Sequence, residues 1–452
     1  MTSPVITYDN TWDRDHVLSE QQINDLSLID GRTVGALCSR NDRGISLLVF
    51  PDVLGVHGDA IGDNVILDIR EKSIATGNLM GFIGCRNTKL CIRSRFDRDD
   101  NDFFMHYMLA RVMSLNVFDL QHSTDRDSVF DFVLFFFPFF LNRALSQGLY
   151  KEYVTIHHND SRVRGVIDVS KHIRLNIPFT GSIAYKTREH TADNDLIELV
   201  RHTIEYIRTT DFGTSILTRD EQTKENVSMI MEATPRFEKR DRISIMNKNL
   251  RTKIHPYYTE YEPLRNLCLQ ILRQEELKYG NDDDTVYGVL FDGAWLWESY
   301  LNTLLSDNGF RHPDTIAKTG GIHLFQSNGP VHYPDFLSKQ AVLDAKYKPY
   351  AYKARNMDAS GHIRGISPED LAQVISYMYV ERLNSGGFLV PGGTSVNLRH
   401  ETLRGHGGNM YLLNLPIPQD CASYSDFCET IHQNEVAFGK AIDLIQTASL
   451  QQ

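Results

Sequence analysis

Cysteine is scarce in this chain and never clustered. Cys38, Cys85, Cys91, Cys268, Cys421 and Cys428 are scattered, with no CxxC pair and no Cys/His group at zinc-ligand spacing. That argues against a structural zinc site and for buried free thiols in a reduced, cytoplasmic compartment. A long apolar run is missing too. The one strongly apolar stretch, FVLFFFPFFL at Phe132–Leu141, is interrupted by Pro138 and falls well short of the roughly 20 residues that span a membrane. It is expected to be a buried element or a partner surface. The opening MTSPVITYDNTWDRD has neither a basic segment nor an apolar one, so no secretory signal is expected. Repeats and low-complexity linkers are absent. So is a G-x4-G-K-[ST] loop, and GTP or ATP binding by this chain is not expected.

Positive charge is in deficit. Lys and Arg number 47 against 58 Asp and Glu, a net charge of −11. This disfavours a protein that coats DNA by charge alone. It leaves a nuclease open, because catalytic carboxylates add negative charge and a partner can supply DNA affinity. The charge is uneven: RFEKRDRISIMNKNLRTK, Arg236–Lys253, is rich in Lys and Arg, and reads either as a solvated face or as a nucleic-acid or partner contact. With 452 residues, 41% of them hydrophobic and 23% charged, the chain has the composition of an ordinary globular protein of two or three domains.

Three domains are expected, in an α+β arrangement. Residues 1–100 read as a small β-rich domain, a barrel or sandwich, with strands at Arg43–Phe50, Asn64–Ile69 and Lys89–Phe96 between Gly/Asp/Asn-rich turns. Residues 101–280 read as a mainly helical middle domain suited to partner binding. Helical periods appear at Phe103–Leu115, Ser128–Leu149, Asp195–Ile207 and Tyr261–Leu277, and Arg162–Ile173 reads as strand-like. Residues 281–452 return to mixed α/β character and carry the chemistry.

The chemistry centres on YPDFLSKQAVLDAKYK, Tyr333–Lys348. Ala341–Tyr347 has the apolar start of a buried strand, on which Asp344 and Lys346, two apart, share a face. Pro334–Leu337 is a second short strand. A turn centred on Lys339-Gln340 makes antiparallel partners sum to 679, placing Asp335 opposite Asp344, with Cβ atoms roughly 4.5–5.5 Å apart. Two carboxylates that close need a cation between them. Mg²⁺ fits, taking one or two carboxylates plus phosphate and water, with Asp335, Asp344 and the Ala345 main chain as expected ligands. Lys346 would orient or deprotonate water, or neutralise charge on a phosphate. This is the PD-(D/E)xK pattern, P-D-x8-D-x-K here. The same short motif also arises in a surface hairpin with a salt bridge.

Two helices add to it. In LFDGAWLWESYLNTLL, Leu290–Leu305, the positions Phe291, Ala294, Glu298, Leu301 and Leu305 follow one stripe. Glu298 in an apolar slot must be paired or bind a metal; otherwise it lies at the helix edge and reaches solvent. In ISPEDLAQVISYMYV, Ile366–Val380, Ser367 is the expected N-cap, with Pro368 at the first helical position and Asp370 three residues after the cap. Gln373 and Tyr377 are neighbours one turn apart. Gln373 is either a DNA or water ligand, or part of a polar flank.

Taken in order along the chain, these segments resemble the McrC family. The likeness rests on HYMLARVMSL (His106–Leu115), GLYKEYV (Gly148–Val154), VRGVIDVSKHIR (Val163–Arg174), ADNDLIELVRHTI (Ala192–Ile204), FDGAWLWESYL (Phe291–Leu301), PDF and DAKYK. Arg111 stands where the family has an aromatic residue. The resemblance covers residues from about 100 to 390. It implies a C-terminal restriction-endonuclease-like PD-(D/E)xK domain, with Asp335, Asp344 and Lys346 as its catalytic set. It implies a Mg²⁺-dependent endonuclease subunit of a restriction system directed at 5-methylcytosine-type modified double-stranded DNA. The implied partner is McrB, a hexameric AAA+ GTPase that binds the GTP, reads the modified DNA and is stimulated by this subunit. Such complexes are expected to pair, since a double-strand cut needs two sites or two sequential nicks. Stimulation in trans calls for a residue acting like an arginine finger, and the segment with Arg40 and Arg43 is one candidate. The competing readings are a stand-alone nuclease and a non-catalytic adaptor of an AAA+ ring.

Overall fold

The computed structural model describes residues 4–14, 17–38, 45–51, 61–97, 102–113, 133–210, 213–251, 256–279, 286–313, 319–326, 329–348, 366–405 and 407–448. Arg40 and Arg43 lie outside the described residues, as do Phe132 and the first residues of the expected 128–149 helix.

The chain packs as two units, 1–124 with 282–452, and 125–281. These are not the three consecutive domains expected from the sequence, because the first unit joins both ends of the chain. The first strands are β1 (Val5–Tyr8), β2 (Trp12–Asp13), β3 (Ile45–Phe50), β4 (Leu67–Arg70), β5 (Ser73–Thr76), β6 (Leu79–Cys85) and β7 (Thr88–Arg93). β2, β5 and β4 form a three-stranded sheet. β1, β7, β6 and β3 belong to a five-stranded sheet whose remaining strand, Val286–Asp292, lies about 200 residues further along and sits between β6 and β3. Residues 1–100 therefore do not close a barrel or sandwich of their own. Leu79–Cys85 is buried at every position, as an apolar central strand covered on both faces must be. Gly81 and Gly288 lie where the backbones of these two neighbouring strands approach: a methyl on Gly81 would strike the Val289 carbonyl oxygen, and one on Gly288 that of Phe82. Helix α1 (Phe103–Met113) follows.

The second unit is built from helices Phe137–Ser146, Asp195–Ile207, Glu221–Ala233 and Tyr261–Tyr279. The Asn194 carboxamide caps the second of these, accepting from the Leu196 and Ile197 N–H groups at 3.1 Å. Phe136, Phe137, Phe140 and Leu141 are all buried, so the described part of the apolar run is core, and among the described residues no helix is long and apolar enough to cross a membrane. The unit is not only helical. β8 (Glu152–Asp160), β9 (Val166–Ile167) and β10 (Ile183–Thr191) form a sheet in the order β8-β10-β9. Of the expected strand at 162–173, Val166–Ile167 is strand, and a helix, Val169–Leu175, follows it, because the Asp168 carboxylate accepts from the Lys171 N–H at 3.0 Å and starts a turn there.

The first unit resumes with β11 (Val286–Asp292), the strand that completes the N-terminal sheet, and α2 (Gly293–Leu305). The Asp292 carboxylate caps α2 through the Ala294 and Trp295 N–H groups. Then come β12 (Ile322–His323), β13 (Val331–His332), β14 (Phe336–Leu337), β15 (Ala341–Ala345), α3 (Pro368–Glu381), β16 (Ser385–Pro391), β17 (Asn397–Thr402), β18 (Asn409–Leu415) and α4 (Tyr424–Ala448). The second five-stranded sheet runs β14-β15-β16-β18-β17. Its three central strands are parallel and its two edges antiparallel. α3 packs on β15 and β16, and α2 and α4 also pack against the sheet. Val342, Phe388 and Met410 pack with Val374, Tyr377 and Met378 of α3 in one core.

Candidate active site

The site forms at the edge of this sheet, around the β14–β15 hairpin. Phe336 pairs with Leu343 and Leu337 with Val342; each pair sums to 679, the register that the turn argument expected. The Ser338 hydroxyl closes the turn by accepting from the Gln340 and Ala341 N–H groups, at 3.2 and 3.0 Å. Beyond the last pair, Asp335 Oδ2 accepts from the Ala345 N–H at 2.6 Å. The N–H and C=O of one extended residue point the same way, so the Ala345 carbonyl lies along the edge that Asp335 occupies. The Lys346 N–H points to the other edge and donates to the Leu389 carbonyl at 2.9 Å.

Asp344 is 4% exposed. Its Oδ2 lies 2.8 Å from Lys346 Nζ, and the same ammonium lies 3.1 Å from Asp370 Oδ1. Lys348 Nζ is 3.8 Å from Asp370 Oδ2. Asp370 begins α3, whose first turn is held by the Ser367 hydroxyl accepting from the Asp370 N–H at 3.0 Å. One turn on, the exposed Gln373 donates to the buried Tyr377 hydroxyl at 2.9 Å. His312 enters from the other side. Arg311 and Leu337 exchange main-chain hydrogen bonds at 2.9 Å, which brings His312 Nδ1 to 2.7 Å from the Asp335 carbonyl and its Nε2 to 3.7 Å from Glu298 Oε1.

Burial and neighbouring charge together set the electrostatics. Burial pushes Asp335 well above the usual carboxylate range, and the Glu298 and Asp344 carboxylates add to it against the Ala345 N–H and the Lys346 ammonium. Burial raises Asp344 too, opposed by Lys346. Lys346 is held protonated: burial works against its charge, but Asp344 and Asp370 more than offset that. Asp370 is displaced downward; burial opposes its charge, and the hydrogen bond and charge of Lys346 prevail. Tyr377 is raised, first by burial, with Asp344 and Asp335 contributing. The carboxylates of Asp335 and Asp344 are thus under-compensated by the cations beside them.

Glu298 lies at the edge of its helix, the second of the two positions that the sequence left open, and not in an apolar slot. Phe291 ends in β11, not in the helix, and Ala294 is exposed. The buried stripe of α2 is Gly293, Leu296, Trp297, Tyr300, Leu301 and Leu305, set by the large aromatic rings, and the Glu298 side chain is 32% exposed at its border. It reaches the site by charge and through His312. Two residues escaped the sequence reading. His312 carries no local signal, because a long-range main-chain pairing brings it in. Asp370 was visible only as part of a helix start; its contact with Lys346 depends on how α3 docks.

Among the described residues, no three His, Cys, Asp or Glu side chains form a group that would hold a metal. Two carboxylates and a main-chain carbonyl, from Asp335, Asp344 and Ala345, suit an ion that takes one or two carboxylates and all-oxygen donors, as Mg²⁺ does. The unbalanced negative charge fits the same ion.

The family model for McrBC, the McrBC 5-methylcytosine restriction system component, matches residues 74–390. No curated protein matches the chain. Among solved structures, the chain is similar to one from a refined half-complex of the tetradecameric assembly of Thermococcus gammatolerans McrB AAA+ hexamers with bound McrC, with TM-score 0.52 and 15% identity over 98% of this chain and 100% of that one. A second similarity, to a chain of the cryo-EM structure of the Thermococcus gammatolerans McrBC complex, has TM-score 0.31 and 16% identity over 68% of this chain and 88% of that one.

Proposed function

Because this chain belongs to the family of McrBC 5-methylcytosine restriction system components, we propose that it is the nuclease subunit of such a system, a Mg²⁺-dependent PD-(D/E)xK endonuclease acting on modified double-stranded DNA. The observation that carries this reading is the convergence of Asp335, Asp344 and Lys346 at the open edge of one hairpin. Asp335, Asp344 and the Ala345 carbonyl would hold Mg²⁺. When bound, the ion supplies Lewis-acid polarisation of a phosphoryl oxygen and eases loss of a proton from water. Lys346, kept charged by its two carboxylate neighbours, stabilises negative charge building on the phosphate. Gln373, exposed on α3 and already bonded to Tyr377, orients a water or contacts the DNA backbone. His312 holds the Asp335 main-chain carbonyl, and Glu298 lies against the other ring nitrogen of His312.

The partner is an AAA+ GTPase hexamer of the McrB kind, which binds the GTP and reads the modification. The likeness to a chain from a solved assembly of McrB AAA+ hexamers with bound McrC, over 98% of this chain and 100% of that one, supports an AAA+ partner. Cutting both strands requires two copies of the site or two successive nicks.

The test is cleavage of methylated and unmethylated plasmid by this chain with its genomically adjacent AAA+ GTPase, Mg²⁺ and GTP. Wild type should cut only with partner and GTP. Asp344→Ala should lose cleavage and still stimulate GTP hydrolysis. If Asp344→Ala cuts as well as wild type, the carboxylates do not form the site, and an adaptor role takes its place.

A further inference from the structure

Lys346 is shared. Its ammonium touches Asp344 Oδ2 at 2.8 Å and Asp370 Oδ1 at 3.1 Å, and it stands where a cation binding Asp344 would compete with it. Asp370 is a rigid second partner. Its main chain is pinned by Ser367 at the start of α3, its side chain is only 14% exposed, and Lys348 supports the other oxygen at 3.8 Å. Asp335 and the Ala345 edge lie on the hairpin, whereas Asp370 comes from the helix that covers the sheet.

We propose that Asp370 is a positioning residue that takes over the Lys346 ammonium when a divalent cation takes Asp344. This rests on the metal reading given above and adds to it a determinant of metal affinity. Without Asp370, displacing the ammonium from Asp344 would leave it without an anionic partner in a largely buried place, which is costly. With Asp370 present, the lysine already touches its second partner, so its release from Asp344 needs only a small shift. The charge also stays beside the reacting phosphate.

The test uses the full chain without DNA and reads Mn²⁺ binding by electron paramagnetic resonance of the free ion. Asp370→Asn should weaken Mn²⁺ binding about tenfold, the lower end of what loss of an outer-shell partner costs. Lys346→Met should tighten it, because the competing ammonium is gone. In the Lys346→Met background, Asp370→Asn should cost a markedly smaller factor. Asp370→Glu should return binding to near the wild-type level. The Ser367 cap uses only the main chain of residue 370, so the variants are expected to fold, and a thermal melt checks this. Unchanged binding in Asp370→Asn overturns the proposal. So does an equal loss in both backgrounds, which would mean that Asp370 acts through its charge alone. Absence of any Mn²⁺ binding that Asp344→Asn removes would overturn the metal reading itself, and this inference with it.

Discussion

Asp335→Asn should make the protein more stable and inactive. The carboxylate is placed near Asp344 by the hairpin register and feels Glu298 as well. Two unit charges about 5.5 Å apart at an effective dielectric constant of about 20 repel by roughly 3 kcal/mol. Lys346 offsets part of this, since its ammonium lies beside Asp344, leaving a net cost on the order of 1–2 kcal/mol. Asparagine keeps an oxygen to accept the Ala345 N–H, which now bonds at 2.6 Å, so that N–H keeps its acceptor. The sign with pH agrees. The folded carboxyl sits above its unfolded value, so the native state is favoured while the group is protonated, and stability is lost as pH rises through the folded value. In metal-free buffer at neutral pH the variant should melt higher by about 2 °C per kcal/mol. Mg²⁺ at a hundredfold excess over its dissociation constant should stabilise the wild type by about 2.7 kcal/mol, raising its midpoint, and leave the variant nearly unmoved. Cleavage should be lost. A variant that melts lower than wild type without metal, or that gains equally from Mg²⁺, refutes the reasoning.

Three further outcomes test the frame around the site. His202 is 4% exposed, packs 4.6 Å from the Phe237 ring, and is pushed down to about 4 by burial first and the Arg242 charge next. The unfolded chain takes up that proton first, so urea unfolding of the second unit should lose up to about 3 kcal/mol between pH 7 and pH 4; His202→Phe should flatten the profile. Tyr300→Phe removes a hydroxyl that donates to the buried Glu435 carboxylate at 2.6 Å, leaving Tyr107 as its other phenolic donor at 2.9 Å; a loss of about 1–3 kcal/mol is expected in a denaturant titration. Gly288→Ala places a methyl against the Phe82 carbonyl oxygen in the N-terminal sheet, and should cost about 1–3 kcal/mol or more, seen as a lower midpoint and reduced soluble yield.

The hairpin was legible because everything that specifies it is local: a polar turn at Ser338-Lys339-Gln340 and the continuous apolar start of Ala341–Tyr347. The same holds for α3, whose Ser367 cap and Pro368 start act within one turn, and for the helix at Asp195–Ile207 behind Asn194. Glu298 was harder. Its helix was recognisable, but which face is buried depends on what Trp297 and Tyr300 meet, and both are fully buried against other parts of the unit. The strands at Glu152–Asp160 and Ile183–Thr191 were missed because Glu152–Asp160 has no fully buried face to mark it and Ile183–Thr191 carries Lys186, Arg188 and Glu189 in its middle.

By itself the sequence determined the turn, the caps, the 679 register and hence the meeting of Asp335 with Asp344, since each follows from neighbours within a few residues. Tertiary structure alone decided that Val286–Asp292 completes a sheet begun some 200 residues earlier. It also decided that His312 reaches Asp335 and that Asp370 reaches Lys346. These pairings join segments distant in the chain, and local propensity carries no information about which distant edge or helix start a strand will meet; only the burial of the whole core selects it.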